Sequence, residues 1–366
     1  MNKKKIAFYI GSLTRGGAER VVTNLADFFY QKGYQVFVIT KLKADVEYSL
    51  NPGVQRIIAD ITKEEERGRL RNLFLRIAKL RRILKETAPD VVVSFIGKNN
   101  LMSVAATRGT GIPVAVSVRS NPAREIGDGW KRKLTFLMFR MAEGVVLQTT
   151  EAKAFFPESI QKKAIVLQNS LNPDFLRDPY TGERRKEIIT VGRIDANKNQ
   201  RMMIEAFVPL AEEFPDWNMV LYGDGPMRSD LEQRVCELQL TDRIIFKGIQ
   251  ENIPEKIEGS SVFVLPSKQE GMPNALIEAM VLGLAVVSTD CPCGGPRDLI
   301  IPEENGILIP VDDVNALTES LRRLILDKTL RNKLSRNAVH VKEKVLPEHI
   351  NAQWETYLTA ISKKGN

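Results

Sequence analysis

The 366-residue chain has only two histidines, His340 and His349, both near its C-terminus. That argues against a histidine-rich metal site or a Ser-His-Asp triad in the core. The three cysteines, Cys236, Cys291 and Cys293, are odd in number and lack paired metal spacing. This usage fits a reduced, intracellular protein rather than a disulfide scaffold. Asp-x-Asp does not occur, so the commonest carboxylate grip on a metal–nucleotide pair is missing. Long apolar runs are missing too. The basic Met1–Lys5 leads into a short strand pattern that soon meets Gly11, Thr14 and Arg15, unlike a signal peptide or a membrane span.

What is present begins with charge. The net +8 is uneven: residues 1–180 hold 30 Lys and Arg against 17 Asp and Glu, a net of +13. Residues 181–366 hold 23 against 28, a net of −5. The first half is therefore expected to meet something anionic: a membrane surface, a phosphate-bearing substrate or nucleic acid.

Length predicts two domains, because one core stops growing before this size. Lys5–Ile10 reads as a strand, Ala18–Tyr30 as a helix and Tyr34–Thr40 as a second strand, a β-α-β unit that starts a parallel sheet. Strands are predicted again at 90–95, 114–118, 145–148 and 165–167, the last of this half. Residues 173–186 are polar, with Pro179 and Gly182, and read as a linker. A second series has strands near 188–191, 217–222, 244–247, 261–265 and 285–288. Its helices fall near 199–213, 228–238, 274–282 and 315–326. Segment 347–361 has the look of a final amphipathic helix. The expected fold class is α/β, with two doubly wound, Rossmann-like domains at 1–178 and 187–346. Ligands of such sheets bind at the carboxyl ends of the strands.

Five stretches could carry chemistry. In 266–278, the apolar strand pattern of 261–265 is followed by Gly271, Pro273 and a helix start at Asn274, with Glu270 on the loop and Glu278 one turn into the helix. Two carboxylates around a helix start suit sugar or ribose hydroxyls, since carboxylates accept charge-assisted hydrogen bonds. Arg193 and Lys198 follow the first strand of the second half. They either neutralise a diphosphate leaving group or are solvated surface cations. Gly223-Asp-Gly225-Pro226 is a tight turn after another strand. The loop from Gly11 through Gly16 and Gly17 matches neither Gly-x-Gly-x-x-Gly nor a P-loop, leaving a single phosphate site or a simple turn. Arg119 ends a strand before a proline turn. It serves a phosphate, a sugar hydroxyl or a structural ion pair.

The most basic helix candidate is 64–86. Leu70, Leu73, Phe74, Ile77, Leu80, Ile83 and Leu84 keep helical rhythm, and Arg67, Arg69, Arg71, Arg76, Lys79, Arg81 and Arg82 fill much of the rest. Its apolar stripe packs on the sheet, or the helix lies on an anionic bilayer. Trp130-Lys131-Arg132-Lys133, followed by Leu134, Phe136 and Leu137, is a second aromatic and basic stretch.

Together these motifs resemble glycosyltransferase family 4, the retaining group 1 transferases with the GT-B fold. Glu270-x7-Glu278, Gly192-Arg193 with Lys198, Gly223-Asp-Gly-Pro226 and Gly16-Gly17-Ala18-Glu19 stand in the family's order, over essentially the whole chain. The resemblance implies that Arg193 and Lys198 bind the donor diphosphate with backbone help from Gly16 and Gly17. It gives the donor sugar to Glu270, with backbone at Gly271, Met272, Pro273 and Asn274. Gly223 and Leu276 join the donor set, and Glu278 takes the ribose. It further implies that 347–366 returns to the first domain. Many relatives carry histidine where Arg119 stands, and a guanidinium cannot shuttle a proton at neutral pH. Within the family, Val93-Ser-Phe95, Asn99-Asn100 and 192–199 are similar to bacterial transferases extending polyprenyl-diphosphate-linked glycans, some of which add N-acetylgalactosamine.

The expected activity is therefore retaining, metal-independent transfer of a hexose or N-acetylhexosamine from a nucleotide-sugar, UDP-linked by the resemblance, to a lipid-linked glycan, without a cofactor. Expected partners are that donor, that acceptor and an anionic membrane surface at the inner face of the plasma membrane. A nucleotide-sugar epimerase is the rival reading. Nucleic acid is not expected, since no compact basic recognition motif or aromatic array is visible.

Overall fold

The computed structural model describes residues 3–14 and 16–363. The chain forms two compact units: Met1–Ser170 with Glu348–Asn366, and Leu171–Pro347.

In the N-terminal unit the order is β1 (Lys5–Ile10), α1 (Gly17–Gln31), β2 (Gln35–Thr40), β3 (Gln55–Ile58), α2 (Arg69–Thr87), β4 (Val91–Phe95) and α3 (Gly97–Thr107). There follow β5 (Val114–Ser117), α4 (Pro122–Ile126), α5 (Gly129–Met141), β6 (Gly144–Leu147), α6 (Thr150–Ala154), α7 (Glu158–Gln161) and β7 (Ala164–Val166). Among the described residues the sheet has seven parallel strands in the order β3-β2-β1-β4-β5-β6-β7. Its central strands are buried on both faces, which is why they read as unbroken apolar runs.

The C-terminal unit runs β8 (Arg185–Val191), α8 (Gln200–Glu213), β9 (Asn218–Tyr222), α9 (Arg228–Glu237), β10 (Ile244–Gly248), α10 (Ile253–Ile257) and β11 (Ser260–Leu265). It continues with α11 (Asn274–Val281), β12 (Ala285–Thr289), α12 (Gly295–Leu299), β13 (Ile307–Ile309), α13 (Val314–Leu326), α14 (Lys328–Ala338) and α15 (Val341–Val345). The parallel sheet order is β10-β9-β8-β11-β12-β13. Alternate residues of one strand serve two cores: Val262 and Val264 pack with α8 and α13, Phe263 and Leu265 with α11.

The last helix, α16 (Pro347–Ser362), sends Ile350, Trp354, Leu358 and Ile361 into the N-terminal unit's core. Trp354 is fully buried against Phe95, and the Tyr357 hydroxyl accepts from Val145 N and donates to the Lys163 carbonyl. Each such buried apolar side chain contributes roughly 1.5–3 kcal/mol, enough to hold the chain's end on the sheet that it started.

Three expectations differ from the structure. Residues 173–186 are fastened rather than free. Phe175 is buried in the C-terminal core, Arg177 pairs with Glu255 and Glu258, and Arg184 donates to the carbonyls of Glu258, Ser260 and Leu282. The basic helix starts at Arg69, not at Glu64, because Gly68 takes φ +96° and breaks the backbone there. β3 and β13 were not expected. One is a mostly exposed edge strand and the other has three residues, so neither leaves a long apolar run.

Candidate active site

In the C-terminal unit, two loops at the carboxyl ends of β8 and β9 lie backbone to backbone. Gly192 N donates to the Tyr222 carbonyl at 2.9 Å and Ile194 N to the Asp224 carbonyl at 2.9 Å. A Cβ on Gly223 would fall 1.9 Å from Gly192 O, and one on Gly225 2.2 Å from Ile194 O, so both positions require glycine. Asp195 then shapes the following turn. Its Oδ1 accepts from Asn197 N and Lys198 N at 3.0 and 2.9 Å, and its Oδ2 lies 3.5 Å from Arg193 Nε. Arg193 is otherwise turned to solvent. Lys198 crosses to the loop after β11, where its Nζ meets Glu270 Oε1 at 2.5 Å. Asn197 ties the same loops from both sides: its Nδ2 donates to Gln269 O at 3.0 Å, and its carbonyl accepts from Lys268 N at 2.8 Å.

Glu270 is held by a second neighbour. Its N–H donates to Pro292 O at 2.8 Å and its carbonyl accepts from Cys293 N at 2.9 Å. Gly295 backs the next residue so closely that a Cβ there would sit 1.7 Å from Gly271 O. Pro273 opens α11, and Glu278 lies one turn in, buried. The structure thus gathers Arg193, Lys198, Glu270, Gly223, Gly271 and Glu278 onto the carboxyl-end loops of one sheet and the helix they lead into. Leu276 is a correction. It is fully buried in the core and its N–H is donated to Pro273 O, so it presents nothing to a ligand. Met272 is likewise packed into that core, and Asn274 begins the helix.

In the N-terminal unit, Gly16 caps α1 and Gly17 opens it, a turn with backbone N–H groups at a helix start. Arg15, in the same loop, lies outside the described residues. Leu13 is pinned from behind: its N–H donates to Glu47 Oε1 at 3.1 Å, which also accepts from Ala44 N at 2.9 Å and from Arg56 at 3.0 Å. Arg56 holds the Glu47 carboxyl down to about 2, with the two N–H groups helping.

Arg119 follows β5. One of its nitrogens, Nη2, donates to Asn169 Oδ1, while Nε and Nη1 are sealed from solvent and have no partner among the described residues. Burial lowers its pKa to about 10, with Glu125 opposing, so it stays charged at neutral pH. Glu125 accepts from Gly97 N at 2.7 Å and Ser120 Oγ at 2.8 Å, and burial pushes its carboxyl up.

The seven cations expected to face acceptor or membrane divide. Arg76 pairs with Asp60 and Glu66, Lys79 donates to the Asp60 carbonyl, and Arg81 donates to the carbonyls of Ala106 and Arg108. Those three are committed inside the unit, a correction to their expected role. Arg82 pairs, among the described residues, only with the exposed Glu86. Among the described residues, Arg67, Arg69 and Arg71 make no side-chain ion pair and face solvent.

This geometry has counterparts. The model of Glycosyltransferase Family 4 matches residues 15–175, and that of Glycosyl transferases group 1 matches residues 174–341. The chain belongs to glycosyltransferase family 4. It is a glycosyltransferase with the GT-B fold. The chain is 28% identical over 358 residues to the GalNAc-alpha-(1->4)-GalNAc-alpha-(1->3)-diNAcBac-PP-undecaprenol alpha-1,4-N-acetyl-D-galactosaminyltransferase of Campylobacter jejuni, spanning 96% of this chain and 97% of that one. It is 28% identical over 286 residues to the UDP-Gal:alpha-D-GlcNAc-diphosphoundecaprenol alpha-1,3-galactosyltransferase of Escherichia coli, spanning 71% and 72%. Its fold superimposes on Anabaena HepE in complex with UDP with a TM-score of 0.82, at 18% identity, over 97% of this chain and 100% of that one.

Residue-by-residue reading of this transferase missed Pro292, Cys293 and Gly295 behind the Glu270 loop, and Glu47 behind the Gly11–Gly16 loop. A glycine pair at Gly294-Gly295 soon after a strand was the available signal for the first.

Proposed function

We propose that this family 4 enzyme is a retaining transferase that moves a hexose or N-acetylhexosamine from a UDP-sugar to a polyprenyl-diphosphate-linked glycan. The observation that carries the reading is the Lys198–Glu270 pair beside Arg193. A cation and a carboxylate held together at a strand end can part to serve a donor's two halves. Lys198 turns with Arg193 to the diphosphate, and Glu270 is freed to accept hydrogen bonds from the sugar. Glu278, one turn into α11, accepts the ribose hydroxyls. As the bond from the anomeric carbon to the diphosphate oxygen breaks, the two cations neutralise the charge gathering on the leaving group, an effect typically worth about 3–4 kcal/mol per well-placed donor. The acceptor hydroxyl forms the new bond from the same face, and its proton passes to the departing phosphate oxygen. With positive charge supplied this way, the step calls for neither a metal nor a separate carboxylate base. A UDP donor and a diphosphate-linked lipid acceptor are supported by the activities for which the relatives from Escherichia coli and Campylobacter jejuni are named.

The test is transfer from a panel of UDP-, GDP- and ADP-sugars to a polyprenyl-diphosphate-linked glycan, with the anomeric configuration of the product read by NMR. An axial donor giving an axial product from UDP-sugars is expected. An inverted product, or epimer formation from donor alone without acceptor, overturns the reading.

A further inference from the structure

One stripe of α14 lines a cavity in the C-terminal unit. Thr329, Asn332, Ser335, Arg336 and Val339 recur there at helical spacing, while Leu334 and Ala338 on another face of the helix are buried in the core. The remaining wall comes from Tyr180 and Arg184, in the segment fastened ahead of β8, and from the end of α11 at Leu282 and Gly283. The Ser335 hydroxyl donates to the Gly283 carbonyl and joins the two helices. The cavity holds about 360 Å³, within the range that takes a small organic ligand.

Topology sets this cavity apart from the candidate active site. Arg184 immediately precedes β8 and Gly283 leads into β12, so both stand at the amino edge of the parallel sheet. Lys198 and Glu270 follow β8 and β11 at the carboxyl edge. The seven residues of β8, about 20 Å of strand, lie between the two edges.

Charge says what the cavity takes. No Asp or Glu lines it, and none occurs from Lys328 to Lys342, although the half of the chain from residue 181 carries a net of −5. Arg184 is half-buried over the Tyr180 ring, and its Nη1 donates to the carbonyls of Glu258 and Ser260 and its Nη2 to that of Leu282. All three acceptors are neutral, and no carboxylate among the described residues pairs with it. The Glu258 carboxylate is turned to Arg177, and Asp327 caps α14 through Leu330 N. Arg336 is exposed and, among the described residues, makes no ion pair. Two guanidiniums without a carboxylate, beside the Thr329 hydroxyl and the Asn332 amide, match the charge and the acceptor oxygens of a dianionic phosphate. The Tyr180 ring and Val339 offer apolar ground for whatever the phosphate is attached to. We propose that this cavity is a second ligand site of the enzyme, taking a small phosphate monoester with its phosphate between Arg184 and Arg336 and its body against Tyr180 and Val339. The site depends on neither the donor nor the acceptor assignment.

The experiment titrates the full chain with glucose 1-phosphate, inorganic phosphate and glucose, following Tm and the heat of binding at constant ionic strength. It is run about two pH units above the second phosphate pKa of about 6, so that the monoester is dianionic. Glucose 1-phosphate should raise Tm and bind more tightly than inorganic phosphate, and glucose should do neither. Arg336→Ala should weaken glucose 1-phosphate binding by about ten-fold or more, and Asn332→Glu, which brings a carboxylate into the cavity, should abolish it. Both positions are exposed, so each variant should keep the parent's Tm in phosphate-free buffer. Lys198→Ala should bind glucose 1-phosphate as the parent does, because the cavity lies at the other edge of the sheet.

No response to glucose 1-phosphate, an equal response to glucose, or binding that survives Asn332→Glu overturns the proposal. Binding lost in Lys198→Ala would hand the phosphate to the loops at the carboxyl edge and overturns it too. So does binding of anionic vesicles that is sensitive to Arg336→Ala without any response to the soluble phosphates, which would give the cavity to a lipid headgroup.

Discussion

Lys198 Nζ sits 2.5 Å from Glu270 Oε1, although the two lie on separate strand-end loops. The pair is only partly buried, so its net worth to stability is modest, about 0–1 kcal/mol. Under the proposed mechanism its worth to transfer is larger, because each member serves a different half of the donor. Lys198→Ala and Glu270→Ala should each lower kcat by about 10²–10³-fold with little change in Tm. The double variant should be far less than multiplicatively worse, since one defect already breaks the shared site. Near-normal turnover of either folded single variant, followed by UDP release, would sink the assignment.

Gly295 supports Gly271 by having no side chain. An alanine Cβ would overlap Gly271 O at 1.7 Å, and the flanking Pro292 and Cys293 are hydrogen-bonded to Glu270, so the strain falls on the Glu270 loop. Gly295→Ala should raise KM for the donor by about ten-fold or more and weaken thermal stabilisation by UDP, while the fold persists. A variant with the parent's donor KM would show that the loop absorbs the methyl elsewhere.

What was legible in the sequence follows from what periodicity can encode. Buried parallel strands such as β4 and β11 announce themselves as apolar runs, and Glu270-x7-Glu278 marks its loop because the spacing is local. Contacts across the chain leave no such trace. Lys198 meets Glu270 from 72 residues away, and Arg119 meets Asn169 from 50. The apolar stripe of α2 reads as continuous from Leu70 to Leu84, yet only its second half is covered. Packing against other elements decided that, and periodicity within α2 is silent about them. Leu276 shows the converse, since a motif position can be core.

Glu47 holds the loop that leads to α1, and its low pKa makes the hold depend on pH. The carboxyl titrates at about 2 in the fold against 4.5 when unfolded. Its stabilisation is therefore complete above about pH 4.5 and lost as pH falls toward 2. A shift of this size corresponds to about 3 kcal/mol. Glu47→Gln should lower stability at pH 7 by an amount of that order and flatten the loss of stability between pH 4.5 and 2. Urea unfolding of parent and variant across that range measures both. Parallel curves at every pH would mean that the Arg56 pair contributes nothing.

The three cysteines should react as one plus two. Cys236 is exposed, whereas Cys291 and Cys293 are buried behind the Glu270 loop. Burial, with the Glu270 carboxylate adding to it, pushes the Cys291 thiol up to about 12, so at pH 8 only about one molecule in ten thousand carries the thiolate there. Ellman's reagent should thus titrate one thiol rapidly in the native protein and three in denaturant. Alkylating that one thiol should leave transfer intact, because Cys236 lies at the end of α9, away from the donor loops. Glu270→Gln removes the neighbouring negative charge and should quicken the slow reaction of Cys291, with Cys236 as the internal standard. Two fast thiols in the native enzyme would show that the loop behind Glu270 opens readily, and the case for Gly295 and Pro292 as fixed supports would fall with it.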